Sequence, residues 1–311
     1  MTPAPTHKTD PFDPIFRYVA FSAATLLLVT LGGIVMSLVV GGWPALSKFG
    51  FGFFTSVDWN PVTDVYGAAG PIVGTIVSAF LALAMALPIA IGIAVFITQF
   101  APRALAQPIA IAVELLAGIP SIVYGMWGLF VFAPWFAKHV QVPLMTTFDS
   151  NPEGFWAKMF YGIPNGANLF TASVILAIMI LPYMAAVFRE LFRSIPPQVR
   201  EAAFGVGATP FEVVTSVIIP YVQKGMVGVI MLGLGRALGE TMAVTFIIGN
   251  THLFPKSLFD SSSTLASTIA NEFNEATGMH TAALMSLGLV LFLITFSVLA
   301  IARWLLSSQR Y

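Results

Sequence analysis

Six apolar stretches, each long enough to cross a lipid bilayer, constrain this chain more than any other feature. They cover about residues 18–41, 71–97, 107–134, 169–188, 225–249 and 280–304. A spanning helix needs about 20 apolar residues, because its backbone polar groups must be satisfied within the segment. Only 9% of the 311 residues are charged, whereas a soluble domain carries roughly a quarter. We therefore predict an all-α, polytopic membrane protein with six transmembrane helices.

The segments outside these stretches predict one membrane domain, at residues 18–311, and no second domain. The start, MTPAPTHKTDPFDPIF, is polar and lacks a short apolar region with a cleavage site, so we expect a cytosolic tail at residues 1–17. The outer loops, 42–70, 135–168 and 251–279, are too short for independent domains. The first loop could pack as an aromatic cap over the helices, although a belt of Trp and Phe at the membrane interface is the plainer interpretation.

Lysine and arginine residues indicate the orientation. With six spans, both termini share a side with the loops near 98–106 and 189–224, and that side holds nine basic residues against four. Basic residues accumulate in cytoplasmic loops, so we expect both termini in the cytosol. The nine are Lys8, Arg17, Arg103, Arg189, Arg193, Arg200, Lys224, Arg303 and Arg310, and the four are Lys48, Lys138, Lys158 and Lys256.

Residue usage excludes several kinds of chemistry. The chain has no cysteine, and its four histidines show no ligand spacing, so we expect no disulfide, no metal site and no cysteine nucleophile. It also lacks the G-x-x-x-x-G-K-[ST] loop that binds nucleotide phosphates. We therefore predict a protein without enzymatic activity or cofactor of its own. Balanced charge, 14 basic and 14 acidic residues, gives no reason to expect nucleic acid as a partner.

The sequence LGLGRALGETMAV, residues 232–244, places Arg236 and Glu240 inside the fifth apolar stretch. Arg236 follows Lys224 by about 18 Å of helix, near mid-membrane, where a charge costs at least about 2.5–3.5 kcal/mol. If the stretch is one helix, the half that carries the pair also carries mostly small residues, namely Gly228, Leu232, Gly235, Gly239 and Ala243. Small residues let another helix approach closely, so we expect the pair to face protein or a cavity.

Arg236 and Glu240 are four residues apart and can meet on one face of a helix. They could neutralise each other and only pin helices together, although apolar replacements of such pairs often cost no stability. An ionisable residue inside a membrane indicates a functional site by default, and a planar guanidinium suits a tetrahedral oxyanion. We predict that both residues line a substrate path. There Glu240 would hold Arg236 in place and weaken its attraction for the anion, so that the anion can leave again.

The third apolar stretch carries two further candidates. Glu114, near its cytosolic end, could pair with another helix or reach the membrane interface. Pro120 removes a backbone donor and should bend the helix locally.

The longest cytosolic connection, residues 191–220, is expected to form two short helices. Pro196 and Pro197 suit a helix start, and Gly205 or Gly207 suits its end. The sequence Thr-Pro-Phe-Glu at 209–212 then predicts a second start with a capping box. Such a segment either lies on the membrane surface or docks a cytosolic partner.

The sequence EAAFGVGATPFEVVTSVIIP within this connection resembles the EAA loop of permease subunits of ATP-binding-cassette importers. The residues that match in register are Glu201, Ala202, Ala203, Gly207 and Pro220. The resemblance implies that the loop, about residues 191–220, couples the permease to an ATPase subunit. It also implies the type-I importer (MetI-like) permease fold, with a core at about 67–306.

Two longer stretches resemble the PstC-type permease family of phosphate importers. They are ELLAGIPSIVYGMWG at 114–128 and LGLGRALGETMAVTFIIGN at 232–250. The resemblance implies a path for inorganic phosphate across the bacterial inner membrane, surrounded by membrane lipids. It also implies a homologous PstA-type permease subunit, two PstB-type ATPase subunits that bind ATP and Mg²⁺, and a periplasmic phosphate-binding protein.

Two alternatives stay open at this point. Permeases for sulfate, molybdate or another oxyanion share the Arg-Ala-apolar-Gly-Glu core, so Arg236 and Glu240 alone do not select phosphate. A secondary transporter that works without ATP would also use charged residues inside the membrane.

Overall fold

The structure is a computed structural model that describes residues 12–148 and 154–308. Residues 1–11 of the predicted tail lie outside the described part, and the first helix begins inside the predicted tail, at Asp13. The described helices are α1 (Asp13–Phe49), α2 (Gly52–Thr55), α3 (Ala69–Val95), α4 (Arg103–Ala117), α5 (Ser121–Trp127), α6 (Ala133–Phe136), α7 (Val142–Phe148), α8 (Phe155–Met159), α9 (Leu169–Arg193), α10 (Pro197–Gly205), α11 (Pro210–Glu212), α12 (Ile219–Leu238), α13 (Met242–Ile247), α14 (Leu265–Glu272) and α15 (Met279–Ser308).

Short π-helical turns and one small sheet complete the described secondary structure. The π-helical turns are Phe96–Phe100, Gly128–Phe132, Ala137–Gln141 and Val213–Ile218. Strands β1 (Trp59–Asn60) and β2 (Val65–Tyr66) pair antiparallel, with Trp59 opposite Tyr66.

Among the described residues, five helical segments are long and apolar enough to cross a membrane, and a bent helix pair makes a sixth candidate. The predicted all-α fold is therefore confirmed. The bent pair, Ala104–Ala117 and Ser121–Phe148, occupies the place of the third predicted span, about 107–134, and turns by 88°. Pro120 lies at this bend. It explains the bend, because proline lacks a backbone donor and disfavours a helical conformation in the residue before it. The local bend expected there is confirmed, and it is large.

Helix α9 occupies the centre of the bundle, against α3, α4 and α12. Its close contact with α3 follows from a row of buried alanines spaced three or four residues apart, because small side chains let two helix backbones approach. These are Ala79, Ala82, Ala86, Ala90 and Ala94. Helix α1, by contrast, runs along α15 and exposes most of its apolar side chains, as expected for a helix that faces lipid.

The first outer loop forms a packed cap at the end of the bundle that carries α14, which we call the α14 end. Phe53 and Tyr66 are fully buried there, in one apolar cluster with Leu265 and Leu287. The interpretation of this loop as an interface belt is therefore wrong for these two side chains. Both side chains pack against apolar residues across the loop and at the start of α15. The local sequence does not show these contacts, because the partners are distant in the chain.

The opposite end of the bundle, the α10 end, carries the two predicted short helices. Helix α10 starts at Pro197, and α11 starts with a complete capping box. The backbone N–H of Thr209 donates to Glu212 Oε2 at 2.7 Å. Both helix starts therefore confirm the sequence prediction.

Candidate functional site

The fifth apolar stretch is not the single continuous helix that its composition predicts. Helix α12 ends at Leu238 and α13 begins at Met242. Gly239 ends α12 in a non-helical conformation. Its N–H donates a hydrogen bond to the carbonyl of Gly235 at 3.2 Å. Glycine is the weakest helix former after proline, so two glycines four residues apart favour a break here. The break lies directly beside Arg236.

Glu240 sits in the break and binds the backbone instead of Arg236. Its Oε1 accepts a hydrogen bond from the backbone N–H of Ala243 at 3.1 Å, in the first turn of α13. A carboxylate at a helix N-terminus satisfies a free donor and interacts favourably with the helix dipole. Across residues 12–148 and 154–308, no ion pair or hydrogen bond joins Arg236 to Glu240. The predicted pairing is wrong, because the break removes the helical geometry that would bring them together.

Arg236 instead contacts an aromatic ring on α9. Its Cζ lies 5.3 Å from the ring centroid of Tyr183, within the range of a cation–π contact. The Nε atom of Arg236 is buried and has no hydrogen-bond partner in the described part of the chain. The guanidinium thus lies over an aromatic ring, and within the described residues its donors are not bound to a carboxylate.

One face of α12 beside Arg236 is uncovered. A Cβ added at Gly228 or Gly235 would have no neighbour within 4 Å, and the Leu232 side chain is 53% exposed. The opposite face packs on α9, where a Cβ at Gly233 would lie 2.6 Å from Met184 Sδ. The small residues of the predicted face therefore do line an open surface. Ala243, predicted on the same face, is buried because α13 follows the break.

Arg189 is a residue that the sequence indicates only as a loop charge. Its Nη2 contacts Glu114 Oε1 at 2.5 Å and Glu190 Oε1 at 2.7 Å, and its side chain is 8% exposed. Glu114 is on α4, so the contact ties α4 to the α10 end of α9. Of the two interpretations of Glu114, the structure shows the interhelix partner.

The predicted coupling residues divide between two elements. Glu201 and Ala202 are exposed on α10, and Ala203 is half-buried beside them. Gly207 follows α10 with a φ of +88°, a conformation that favours glycine. Pro220 lies in the first turn of α12, beyond the π-helical turn, and does not join this group.

Apolar side chains stand exposed around the coupling residues. Val206 is 86% exposed, Phe211 71% and Phe204 48%. Three such residues beside one short helix form an apolar patch of the kind that marks an interaction site. Sequence reasoning named the loop but not these side chains.

The sequence analysis also does not predict a polar and aromatic cluster at the α14 end. The Nε1–H of Trp59 donates a hydrogen bond to Glu272 Oε2 at 2.8 Å. The two carboxylate oxygens of Glu272 lie 2.9 Å from His252 Nε2 and 2.7 Å from His280 Nε2. Burial opposes ionisation of this carboxyl, but the hydrogen bonds from His252, Trp59 and His280 prevail and lower the pKa of Glu272. Nearby, burial first and Asp64 second raise the pKa of Tyr66 to about 12. No group of metal-ligating side chains with suitable geometry occurs within the described ranges.

Comparison with known proteins identifies the family. Residues 86–311 match the model described as "Binding-protein-dependent transport system inner membrane component". The chain is 51% identical over 295 residues to the phosphate transport system permease protein PstC of Mesorhizobium japonicum, covering 94% of this chain and 90% of that one. The chain belongs to the PstC family of inner-membrane transport permeases. PstC of Pasteurella multocida is 52% identical over 292 residues, covering 94% of this chain and 91% of the relative.

Solved structures of lower identity share the fold of this PstC-family chain. A bacterial alginate ABC transporter, in complex with an alginate pentasaccharide-bound periplasmic protein, matches with a TM-score of 0.60 and 15% identity, covering 94% of this chain and 95% of that one. The inward-facing MetNI methionine ABC transporter matches with a TM-score of 0.50 and 19% identity, over 76% of this chain and 93% of that one. The expected importer permease fold is thus confirmed.

Proposed function

We propose that this chain is the permease subunit of an ATP-driven importer and that Arg236 lines its path for inorganic phosphate. The observation that carries the proposal is a guanidinium with an unpartnered buried donor, beside a helix break and next to an uncovered helix face. The high identity to proteins named phosphate transport permeases supports phosphate as the substrate.

The uncovered face of α12 is the surface that we assign to a homologous PstA-type subunit. Gly228 and Gly235 leave room for a second helix to approach, so Arg236 would lie where the two permease subunits meet. A phosphate ion passing there would receive hydrogen bonds from the planar guanidinium, which can donate in pairs to adjacent oxygens. Glu240 would contribute indirectly, because it stabilises the helix that begins at the break.

The α10 end is the surface that we assign to the ATPases. Phe204, Val206 and Phe211 would enter a cleft of a PstB-type subunit, together with Glu201 on α10. Two such subunits would bind ATP and Mg²⁺, and movement of α10 would pass to α12 through the π-helical turn Val213–Ile218. This end then faces the cytosol, with both termini, and the α14 end receives the periplasmic phosphate-binding protein.

Uptake of labelled phosphate by the assembled transporter tests the proposal. Arg236→Gln removes the charge, and we expect it to abolish uptake while the complex still assembles. Arg17→Gln, on the exposed surface of α1, removes the same kind of charge away from this face and is the matched control, which should retain uptake. Full uptake by the Arg236 variant would refute the role of this residue. Preferential uptake of labelled sulfate would refute phosphate as the substrate, and uptake without the ATPase subunits would favour a secondary transporter.

A further inference from the structure

The contact between Arg236 and Tyr183 connects two helices that are far apart in sequence. The guanidinium Cζ lies 5.3 Å from the ring centroid, a distance typical of cation–π contacts. We propose that Tyr183 is the residue that positions Arg236 in the substrate path and that it leaves the guanidinium donors free for an oxyanion. This inference rests on the proposed function and specifies how that site is built.

An aromatic ring and a carboxylate hold a guanidinium in different ways. A carboxylate binds the N–H groups at the edge of the guanidinium and cancels its charge. A ring attracts the cation without being a carboxylate that binds its N–H groups in pairs, so donors remain available to an oxyanion. The Cζ of Arg236 lies over the Tyr183 ring, and the nearest carboxylate in sequence, Glu240, is hydrogen-bonded to Ala243 N–H. The anion therefore does not have to displace an internal carboxylate before it can bind.

Tyr183 is well placed to act as a rigid platform. It lies on α9 between Pro182 and Met184, both of which are buried. Met184 packs against Gly233 of α12 so closely that a Cβ on Gly233 would lie 2.6 Å from the Met184 sulfur. This contact is one residue from Tyr183 on α9 and three residues from Arg236 on α12. It fixes the two helices relative to each other at the level where the ring meets the guanidinium.

Loss of the Tyr183 ring should weaken the binding of phosphate more than it changes the maximal rate of uptake. Without the ring, Arg236 gains rotamer freedom and can turn toward the carboxylate of Glu240. Both effects weaken the capture of phosphate, while the steps driven by ATP are unchanged. We therefore expect Tyr183→Leu to raise the KM for phosphate uptake about tenfold, with a maximal rate within about twofold of the parent. The tenfold figure corresponds to loss of a partly desolvated cation–π contact.

Three variants of the full transporter complex test the inference. Tyr183→Phe keeps the ring face and should preserve the KM, since no hydrogen bond of the Tyr183 hydroxyl is involved in the contact. Tyr183→Leu should raise the KM. Tyr18→Leu, which changes an exposed tyrosine of α1, is the control and should leave the KM unchanged. A parental KM for Tyr183→Leu, or equal losses in Tyr183→Phe and Tyr183→Leu, would overturn the role of the ring.

A fluorinated series keeps the test decisive if Tyr183→Leu fails to assemble. Phenylalanine with one, two or three ring fluorines at position 183 retains the shape but progressively weakens the negative ring face that attracts cations. We expect the KM for phosphate to rise with each fluorine. A KM that does not change across the series would overturn the inference. Loss of uptake in Arg236→Gln tests the proposed function separately, because that result does not depend on what holds the guanidinium.

Discussion

The role of Glu240 can be separated into the part that its charge plays and the part that its hydrogen bond plays. In the structure its Oε1 accepts the Ala243 N–H at 3.1 Å, and it makes no ion pair with Arg236 within the described ranges. Glu240→Gln keeps an acceptor oxygen of the same reach and removes the charge. Glu240→Ala removes both. The two variants should therefore differ if Glu240 acts on α13 and agree if only its charge matters.

The expected magnitudes follow from this geometry. Loss of a hydrogen bond that caps a helix costs about 0.5–2 kcal/mol, and loss of a negative charge at a helix N-terminus costs about 0.3–1 kcal/mol. The Ala variant loses about 0.8–3 kcal/mol and the Gln variant only the smaller amount. At about 1.4 kcal/mol per factor of ten, Ala should speed local opening of α13 about 4- to 140-fold, and Gln about 2- to 5-fold. Helix α13 has only six residues, so it depends strongly on such contacts.

Amide hydrogen exchange of the peptide that covers Met242–Ile247, in the purified complex, measures this opening. Glu275→Gln, which changes an exposed acidic residue beyond α14, is the control and should leave α13 unchanged. Phosphate uptake should follow the same order, with Gln closer to the parent than Ala. Equal exchange and equal uptake in the Gln and Ala variants would refute the hydrogen-bond role. The charge of Glu240, and its pairing with Arg236, would then be the better explanation.

Two further predictions concern the ends of the bundle. Gly207→Val forces a β-branched residue to a φ of +88°, at a cost of about 1–3 kcal/mol, and should abolish copurification of the ATPase. Gly205→Ala, with no atom within 4 Å of the added Cβ, should retain it; normal binding by both variants would remove the coupling role. The lowered pKa of Glu272 stabilises the fold above the usual glutamate value of about 4.3, and this contribution is lost as pH falls through the lower folded value. Thermal unfolding should therefore show Glu272→Gln less stable than the parent at pH 7, with a difference that shrinks below about pH 4. A difference that is constant down to about pH 3 would contradict this.

Local patterns predicted most of the fold. Apolar stretches of spanning length located the membrane segments, and Pro120 located the sharp bend between α4 and α5. The capping box at Thr209 and Glu212 marked the start of α11. Each of these features acts within a few residues along the chain, so the sequence alone suffices to find it.

The candidate site was predicted less completely. The sequence located Arg236 and the small residues beside it, because an ionisable group in an apolar stretch is conspicuous. It did not show that Glu240 turns to the backbone of Ala243, nor that the helix breaks between Leu238 and Met242. A spacing of four residues implies a contact only while the helix continues.

The sequence itself determined the membrane character of the chain and the place of Arg236 within an apolar stretch. The contact of Arg236 with Tyr183, the link between Arg189 and Glu114, and the cluster around Glu272 were decided by the tertiary structure. Each of these contacts joins elements that are distant in the chain. Which side chains meet there depends on how helices rotate and cross, and that is set by close contacts such as Met184 on Gly233.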